Sequence, residues 1–326
     1  MRRMRLPTIS ATRYRKLADV SLALLAFIVL TGAAVRLTGS GLGCPDWPKC
    51  HGRVLPPLEF HPWVEFGNRL LTGVVGFVVA AVSLLAWRRR PYRRSLALVG
   101  TLLPLGVLGQ AILGGFTVRS HLAPGFVMGH FGLSMVILAA AVALSWLARH
   151  EPGSRIRALT AGQVWAVRGL LAWATVVLIA GAVTTASGPH AGAAGTGEIV
   201  PRFNFLGPET LDQMIHWHGR TGTVLGLATV GVFLWLRRRG APRDLLTALG
   251  VTGLLVGAQG VVGGLQYLLH LPAGLVWTHV AIATATWLTL LWAVAAAGRP
   301  RPSRSASAGS GGAALDRAAA EPAHTA

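Results

Sequence analysis

The 326-residue chain is 52% hydrophobic and only 13% charged, and its mean hydropathy is +0.54. Soluble domains of this length are far less apolar, so the composition excludes that class and indicates a membrane protein. The net charge of +19 would suit a nucleic-acid-binding protein. The placement of the basic residues argues against that function, and we expect no nucleic-acid partner.

Eight apolar stretches have about the 20 residues that a helix needs to cross a hydrocarbon core of roughly 30 Å. They predict an all-α integral membrane protein with transmembrane helices at approximately 17–37, 64–87, 95–116, 125–147, 166–187, 212–236, 244–268 and 274–297. The first stretch follows basic residues, as in a signal peptide, but it runs too long before any cleavage-like site. We therefore expect it to be retained as helix 1.

The basic residues lie in alternate loops. The N-terminal tail, the loops between helices 2 and 3, 4 and 5, and 6 and 7, and the C-terminal tail hold 23 of the 30 Lys and Arg residues. The positive-inside rule then predicts a multi-pass protein of the cell membrane, in contact with lipid, with both termini in the cytoplasm. The tail from about residue 300 is of low complexity and predicts disorder.

The second half of the chain repeats the first. The sequence QAILGG at 110–115 leads to His130, and QGVVGG at 259–264 leads to His279, both at an offset of 149 residues; the same offset sets 32–39 over 181–188. Four helices per half give both halves the same orientation in the membrane. We expect two parallel four-helix bundles, with the domains N-tail 1–16, bundle 17–150, linker 151–165, bundle 166–297 and tail 298–326.

Helices 2, 4, 6 and 8 each carry a polar side chain four to six residues from their outer start. These are Asn68, His130, the pair His216 and His218, and His279. At 1.5 Å per residue they lie at a similar depth, roughly 7 Å in. Facing imidazoles could ligate a heme iron from both sides. Alternatively, each histidine forms a hydrogen bond to a neighbouring helix, and the glycines of the QAILGG and QGVVGG segments only allow close helix packing. The duplication favours heme ligation.

The first outer loop holds Cys44 and Cys50, the two cysteines of the chain. An oxidising compartment predicts a disulfide, with a structural staple favoured over a redox-active pair. Metal binding by Cys50 and His51 is a weaker alternative, because zinc sites need more ligands.

Glu65 opens helix 2 three residues before Asn68 and therefore shares its helical face. It either complements the helix dipole or accepts protons beside an iron site. Helix 6 has no carboxylate at the equivalent place, so we expect a catalytic first half and a second half for electron storage or structure. Arginines at outer helix ends either reach the headgroups or pair with heme propionates; they are Arg36, Arg69 and Arg220.

Three segments resemble bacterial members of the heme A synthase family, within a resemblance that covers roughly 17–297. They are 35–52 (VRLTGSGLGCPDWPKCHG), 65–73 (EFGNRLLTG) and 184–192 (TTASGPHAG). The resemblance implies an eight-helix oxidoreductase that converts the C8 methyl of heme O into a formyl group, giving heme A for terminal oxidases. Two hydroxylations would yield a geminal diol that loses water.

The resemblance also implies roles for residues. The first half would bind heme O as substrate, with Glu65 as the essential carboxylate and His130 as an iron ligand. The second half would bind a heme b cofactor through His279 and a helix-6 histidine, and Cys44 and Cys50 would form the outer-loop disulfide. Heme O synthase is the partner expected from the pathway, together with an electron acceptor that the sequence does not identify.

The chain departs from the family pattern at Asn68, where many members carry histidine. One axial ligand would leave an open iron face, Asn68 could bond something held there, or His51 or His61 could move in. On helix 6, His216 and His218 point about 200° apart, and we prefer His218 with His216 as the alternative. Rival functions are a diheme b-type electron-transfer cytochrome, which needs equivalent halves, and a small-solute transporter, which needs broken helices lined with polar groups at mid-membrane.

Overall fold

The computed structural model describes residues 8–152 and 159–298. Residues 1–7, 153–158 and 299–326 lie outside the described part, and so does the predicted disorder of the C-terminal tail. Of the predicted 1–16 tail and 151–165 linker, residues 8–16, 151–152 and 159–165 are described. Helices begin inside both segments, at Ala11 and Ala161.

The described residues are almost entirely helical. The eight long helices are α1 (Ala11–Leu37), α2 (Phe60–Arg88), α3 (Arg94–Arg119), α4 (Pro124–Arg149), α5 (Ala161–Ser187), α6 (Thr210–Arg238), α7 (Arg243–Leu268) and α8 (Ala273–Ala297). A 3₁₀ turn, Gly207–Glu209, leads into α6. A two-residue parallel pair, β1 (Ile9–Ser10) with β2 (Arg89–Arg90), joins the start of α1 to the end of α2.

Helices α1 and α5 begin five or six residues before the predicted apolar stretches. The side chain of Ser10 caps α1 by accepting a hydrogen bond from the Arg13 amide. Thr160 and Gln163 form a reciprocal capping box at the start of α5. Hydropathy ends a span at the first charged residues, whereas the helix continues until a side chain satisfies its free amides.

All eight helices are long and apolar enough to cross a membrane, which agrees with the predicted number of spans. Large apolar side chains point outward along them; Phe77 and Leu254, for example, are each 77% exposed. Such a surface would aggregate in water, whereas lipid tails cover it without cost. Together these observations describe a multi-pass membrane protein.

Each half of the chain forms a cycle of contacting helices. In the first half α1 packs on α2, α2 on α3, α3 on α4 and α4 on α1, and α5 to α8 follow the same order. Helix α8 lies against α1 and α4, and α4 also contacts α5. Two indoles of α8 reach across: Trp277 donates to the Leu30 carbonyl of α1 (3.0 Å), and Trp287 donates to the Met135 carbonyl of α4 (3.0 Å).

The helix bounds give the register between the halves. α5 and α6 start 150 residues after α1 and α2, whereas α7 and α8 start 149 residues after α3 and α4. The first two helices of each half are thus related by one residue more than the offset read from the sequence. Asn68 and His218 are each the ninth residue of their helix, and His130 and His279 are each the seventh.

Candidate heme sites

Two histidines face each other in the second half. The ring centroids of His218 on α6 and His279 on α8 are 5.9 Å apart, with the ring planes inclined by 64°. Nδ1 of His218 lies 3.1 Å from the Val177 carbonyl of α5. A carbonyl oxygen only accepts hydrogen bonds, so Nδ1 carries the proton and Nε2 keeps its lone pair. This is the arrangement in which an imidazole binds a metal through Nε2.

Glycines make room for both rings. A methyl group placed on Gly181 would lie 2.8 Å from Cε1 of His218, which is closer than side chains approach, and one on Gly263 would lie 3.6 Å from Cε1 of His279. Gln259 donates to the His279 carbonyl at 3.1 Å, and the buried Nδ1 of His279 has no hydrogen-bond partner within the described residues. Buried polar atoms without a partner are uncommon and point to an additional ligand.

His130 in the first half has the same surroundings as His279. Gln110 donates to the His130 carbonyl at 2.9 Å and to the Ser134 hydroxyl at 2.6 Å. A methyl group on Gly114 would lie 3.5 Å from Cε1 of His130. Among the residues described, the buried Nδ1 of His130 also has no partner. Both QxxxGG sequences thus place a glutamine and a glycine around a histidine of the next helix.

His216 lies on another side of α6. Its exposed ring approaches Asp212 (Nδ1 to Oδ2, 3.4 Å) and stands edge-on to Tyr267, with the ring centroids 5.9 Å apart. The ring therefore does not face His279. Of the two histidines on α6, only His218 is placed beside His279.

Asn68 faces α1. The Thr31 hydroxyl donates to Oδ1 of Asn68 at 2.8 Å, and the amide nitrogen has no hydrogen-bond partner in the described ranges. His51 of the loop and His61 at the start of α2 have other partners. Nε2 of His51 lies 2.9 Å from the Gly43 carbonyl, and Nδ1 of His61 lies 2.9 Å from the Ser40 hydroxyl. Thr31 was not singled out from the sequence, because it has significance only through its neighbour on α2.

Glu65 lies in a buried polar network at the outer end of α2, where it is 6% exposed. Its Oε1 pairs with the Arg69 guanidinium one turn later (2.5 Å), and its Oε2 accepts from the Cys44 amide (2.7 Å). Arg69 also donates to three loop carbonyls, those of Cys44 (3.1 Å), Asp46 (3.0 Å) and Lys49 (2.9 Å). The carboxylate is therefore held by a charge and an amide, and the same arginine fixes the loop.

The first outer loop is closed by a disulfide. Cys44 and Cys50 are bonded, with their Cα atoms 4.6 Å apart. A bonded sulfur is not available as a thiolate ligand, and no cluster of three metal-binding side chains occurs in residues 8–152 and 159–298, so the Cys50–His51 metal alternative has no support. Asp46 accepts from the amides of His51 and Gly52, both at 2.7 Å. Although burial opposes it, these amides and Arg69 hold the pKa of Asp46 below its usual value.

Trp47 of the same loop packs over the end of α3. A methyl group on Gly115 would lie 3.0 Å from Cδ2 of Trp47, and the preceding Gly114 contacts His130. The indole thus covers the end of the first half that contains Glu65 and His130. Trp47 lies within the quoted segment 35–52, but its contact with α3 was not predicted, since a tryptophan in a loop has no periodicity to interpret.

The two outer loops meet above both halves. The Gly41 amide donates to the Gly192 carbonyl (2.6 Å) and the Gly195 amide to the Gly39 carbonyl (3.2 Å). Arg36 packs along Gly192, and in the part of the chain described its guanidinium has no hydrogen bond or ion pair. Arg220 is exposed on α6. Of the three outer arginines, only Arg69 is committed to protein partners.

A cavity of about 630 Å³ opens at the outer end of the second half. It is lined from α5, α6, α7 and the adjoining loops, with Arg202, Asp212, Tyr267 and His270 as its polar side chains. No sequence pattern predicted this cavity, since its walls come from several separate segments.

Comparison with known proteins identifies a family and several relatives that this chain resembles. The model of the COX15-CtaA family of cytochrome oxidase assembly proteins matches residues 15–63 and 58–211. A heme A synthase of Alkalihalophilus pseudofirmus is 26% identical over 247 residues, 73% of this chain and 82% of that protein. One of Lysinibacillus sphaericus is 36% identical over 126 residues, 38% of this chain and 41% of that protein.

A heme A synthase of Bacillus pumilus is 29% identical over 175 residues, 52% of this chain and 57% of that protein. Two of these three matches thus span less than two thirds of the relative's length. The family model, by contrast, covers more than half of this chain and includes the first outer loop, Glu65 and the helices that carry Asn68 and His130. With the eight apolar helices and the sequence motifs, this match shows that the chain belongs to the COX15-CtaA family of cytochrome oxidase assembly proteins, as the resemblance to heme A synthases predicted.

Proposed function

We propose that this protein is a heme A synthase, an oxidoreductase that converts the C8 methyl of heme O into the formyl group of heme A. The observation that carries the proposal is the difference between two otherwise matched halves. Both place a histidine beside a QxxxGG helix, but among the described residues only the first half has a buried carboxylate, Glu65 at the start of α2. A cytochrome that only transfers electrons would need no such asymmetry.

In this proposal the second half binds heme b between His218 and His279. The free lone pair of His218 Nε2 and the unpartnered Nδ1 of His279 fit a heme with two imidazole ligands. When bound there, heme b would supply one-electron redox chemistry. Val177 fixes the ring orientation of His218, and Gly181 and Gly263 leave space beside the rings.

The first half would bind heme O through His130, with Asn68, Arg36 and Arg69 around the substrate. Within the described residues the Arg36 guanidinium has no protein partner, which makes it the better candidate for a propionate. Arg69 pairs with Glu65 and is the candidate that holds the carboxylate in place. The Glu65 carboxylate would accept protons that the methyl carbon releases as it is oxidised.

The reaction balances as follows when water supplies the oxygen. One methyl group and two waters give a geminal diol, four protons and four electrons. The diol then loses one water to leave the formyl group, so the net reaction consumes one water. An electron acceptor is therefore required, and His218 and His279 would hold the heme b that could supply one-electron redox chemistry. A heme O synthase would supply the substrate.

For the membrane arrangement we propose two parallel four-helix bundles with both termini in the cytoplasm. The closed helix cycles within α1–α4 and α5–α8 support the bundles. The basic loops support the orientation, which puts the disulfide loop and Glu65 on the outer side.

The test is to express the full chain in cells that make heme O but not heme A, purify it, and identify the extracted hemes by chromatography and mass spectrometry. We expect heme A or its hydroxylated intermediate. Heme b alone, with heme O demonstrably present in the membranes, would refute the enzyme and favour a diheme b-type cytochrome.

A further inference from the structure

The halves differ at one matched pair of positions. Thr31 and Gly181 are each the twenty-first residue of α1 and α5, and Asn68 and His218 are each the ninth residue of α2 and α6. In both halves these two positions touch. Thr31 bonds Asn68 at 2.8 Å, and Gly181 lies against the ring of His218.

The side chains of the two pairs are complementary in size: the larger His218 lies against glycine, and the smaller Asn68 lies against threonine. Glycine at position 181 leaves the His218 ring in place, because a methyl group there would lie 2.8 Å from Cε1 and force the ring to shift. In the first half the smaller Asn68 leaves space on α1, and Thr31 fills it with a hydroxyl that holds the amide. An imidazole at position 68 would have no amide oxygen to accept the Thr31 hydrogen bond, so the observed Thr31–Asn68 pair suits the amide.

The histidines on α4 and α8 have the same surroundings in both halves. His130 and His279 occupy equal helix positions, each with a glutamine on its carbonyl, a glycine beside its ring and a buried Nδ1 without a partner among the described residues. The halves therefore share one imidazole and differ in the second. His51 and His61 have hydrogen-bond partners of their own, the Gly43 carbonyl and the Ser40 hydroxyl.

We infer that the first half holds its heme by His130 alone and presents the Asn68 amide where the second half presents an imidazole. This inference rests on the proposed function. A neutral amide is a far poorer iron ligand than imidazole, so the iron of the first half keeps one exchangeable axial position, while His218 and His279 close the second. One ligand fewer also suits a heme that has to leave as product, and the Asn68 amide is a hydrogen-bond donor for a small ligand on that face.

The test uses full-length purified protein with both hemes bound, and carbon monoxide as the probe. After reduction we expect about half of the heme to bind carbon monoxide, and the oxidised protein to show one high-spin and one low-spin signal in electron paramagnetic resonance. The paired variant Thr31→Gly with Asn68→His rebuilds the arrangement of the second half. We expect it to abolish carbon monoxide binding and leave only low-spin signals.

Two comparison variants keep the result interpretable. Asn68→Ala should retain carbon monoxide binding, because it adds no ligand. His218→Ala should lower the heme b content of the second half, so that a larger fraction of the remaining heme binds carbon monoxide. Two low-spin hemes and no carbon monoxide binding in the unaltered protein would overturn the inference. So would a single heme that is lost in His218→Ala, because the first half would then hold none.

Heme A formation is measured on the same preparations and separates the two proposals. Heme A formed without carbon monoxide binding would refute the open axial position and leave the enzyme standing. Carbon monoxide binding without heme A would support the ligand assignment and refute the synthase.

Discussion

At the scale of single residues, Glu65 combines structural and chemical demands. A buried carboxylate is costly unless it is paired and hydrogen-bonded, and here Arg69 and the Cys44 amide satisfy both oxygens. Because Arg69 also holds three loop carbonyls, removing the Glu65 charge leaves the arginine with partners. The chemistry of the carboxylate can thus be tested without dismantling the loop.

We expect Glu65→Gln to keep both hemes and to lower heme A formation by about 100-fold to 10,000-fold, the range of a lost acid–base group. Glutamine preserves shape and hydrogen bonding but does not accept a proton. The measurement is heme A per bound heme, with optical spectra to check heme content.

Glu59→Gln is the matched control. Glu59 stands at the start of the same helix but makes no side-chain capping bond, so its variant should retain full activity. Equal loss in both variants would show that any acid near the loop matters and would contradict the assignment of Glu65.

Asp46 gives the outer loop a dependence on pH. Its pKa is held low by the amides of Gly52 and His51 and by Arg69, against the effect of burial. A lowered folded-state pKa means that the carboxylate stabilises the loop above its ordinary pKa of roughly 4, and that this contribution is lost as the pH falls through the lowered value.

We expect hydrogen exchange, corrected for intrinsic rates, to show protected amides at His51 and Gly52 near neutral pH and faster exchange below about pH 4. Asp46→Ala should lose that protection at every pH, while Asp46→Asn should lose only part of it. Unchanged protection in acid would contradict the role of the ionised carboxylate.

At the scale of helices, the positions of the His218 and His279 rings depend on the glycine that the neighbouring helix places beside each ring. Gly181 on α5 leaves room for His218, and Gly263 on α7 leaves room for His279. The rotation of α6 then decides that His218, and not His216, lies beside His279.

Gly181→Ala should displace His218 and lower the heme b content severalfold, because the added methyl group would lie 2.8 Å from the ring. Gly32→Ala is the control on α1, where an added methyl group meets nothing within 4 Å. Heme b is quantified by its pyridine hemochrome spectrum. Equal heme content in the two variants would refute the placement of His218 as a ligand.

At the scale of the whole molecule, contacts between the halves hold the two candidate sites in one body. Trp277 lies two residues before His279 and bonds the Leu30 carbonyl, which directly precedes Thr31. Above them the loops join through Gly41 and Gly192. Packing and hydrogen bonds of this kind replace the hydrophobic effect between helices in lipid.

The orientation predicted from the basic loops is testable with introduced cysteines. In intact cells, Gly240→Cys in the loop between α6 and α7 should resist a membrane-impermeant thiol reagent, and Ile199→Cys in the loop between α5 and α6 should react. Both positions are exposed, so accessibility depends on the side of the membrane. The reverse pattern would contradict cytoplasmic termini.

The sequence by itself determined the class of the protein, the number of spans, the family and the cysteine pair. Hydropathy over 20 residues is a local property that the bilayer thickness converts directly into helices. The segments at 35–52 and 65–73 carry the family resemblance, which the comparisons confirm. With two cysteines six residues apart in one loop, a single pairing exists within the chain, and the structure has it.

Only the tertiary structure decided how side chains meet across helices. Thr31 lies against Asn68, His218 against Gly181, and Arg69 beneath the loop carbonyls. The sequence left the register of α2 and α6 ambiguous by one residue, and one residue turns a side chain by about 100° around its helix. Rotation and register are set by the packing of all eight helices together, which no local pattern contains; the roles of these residues toward heme stay predictions for the experiments above.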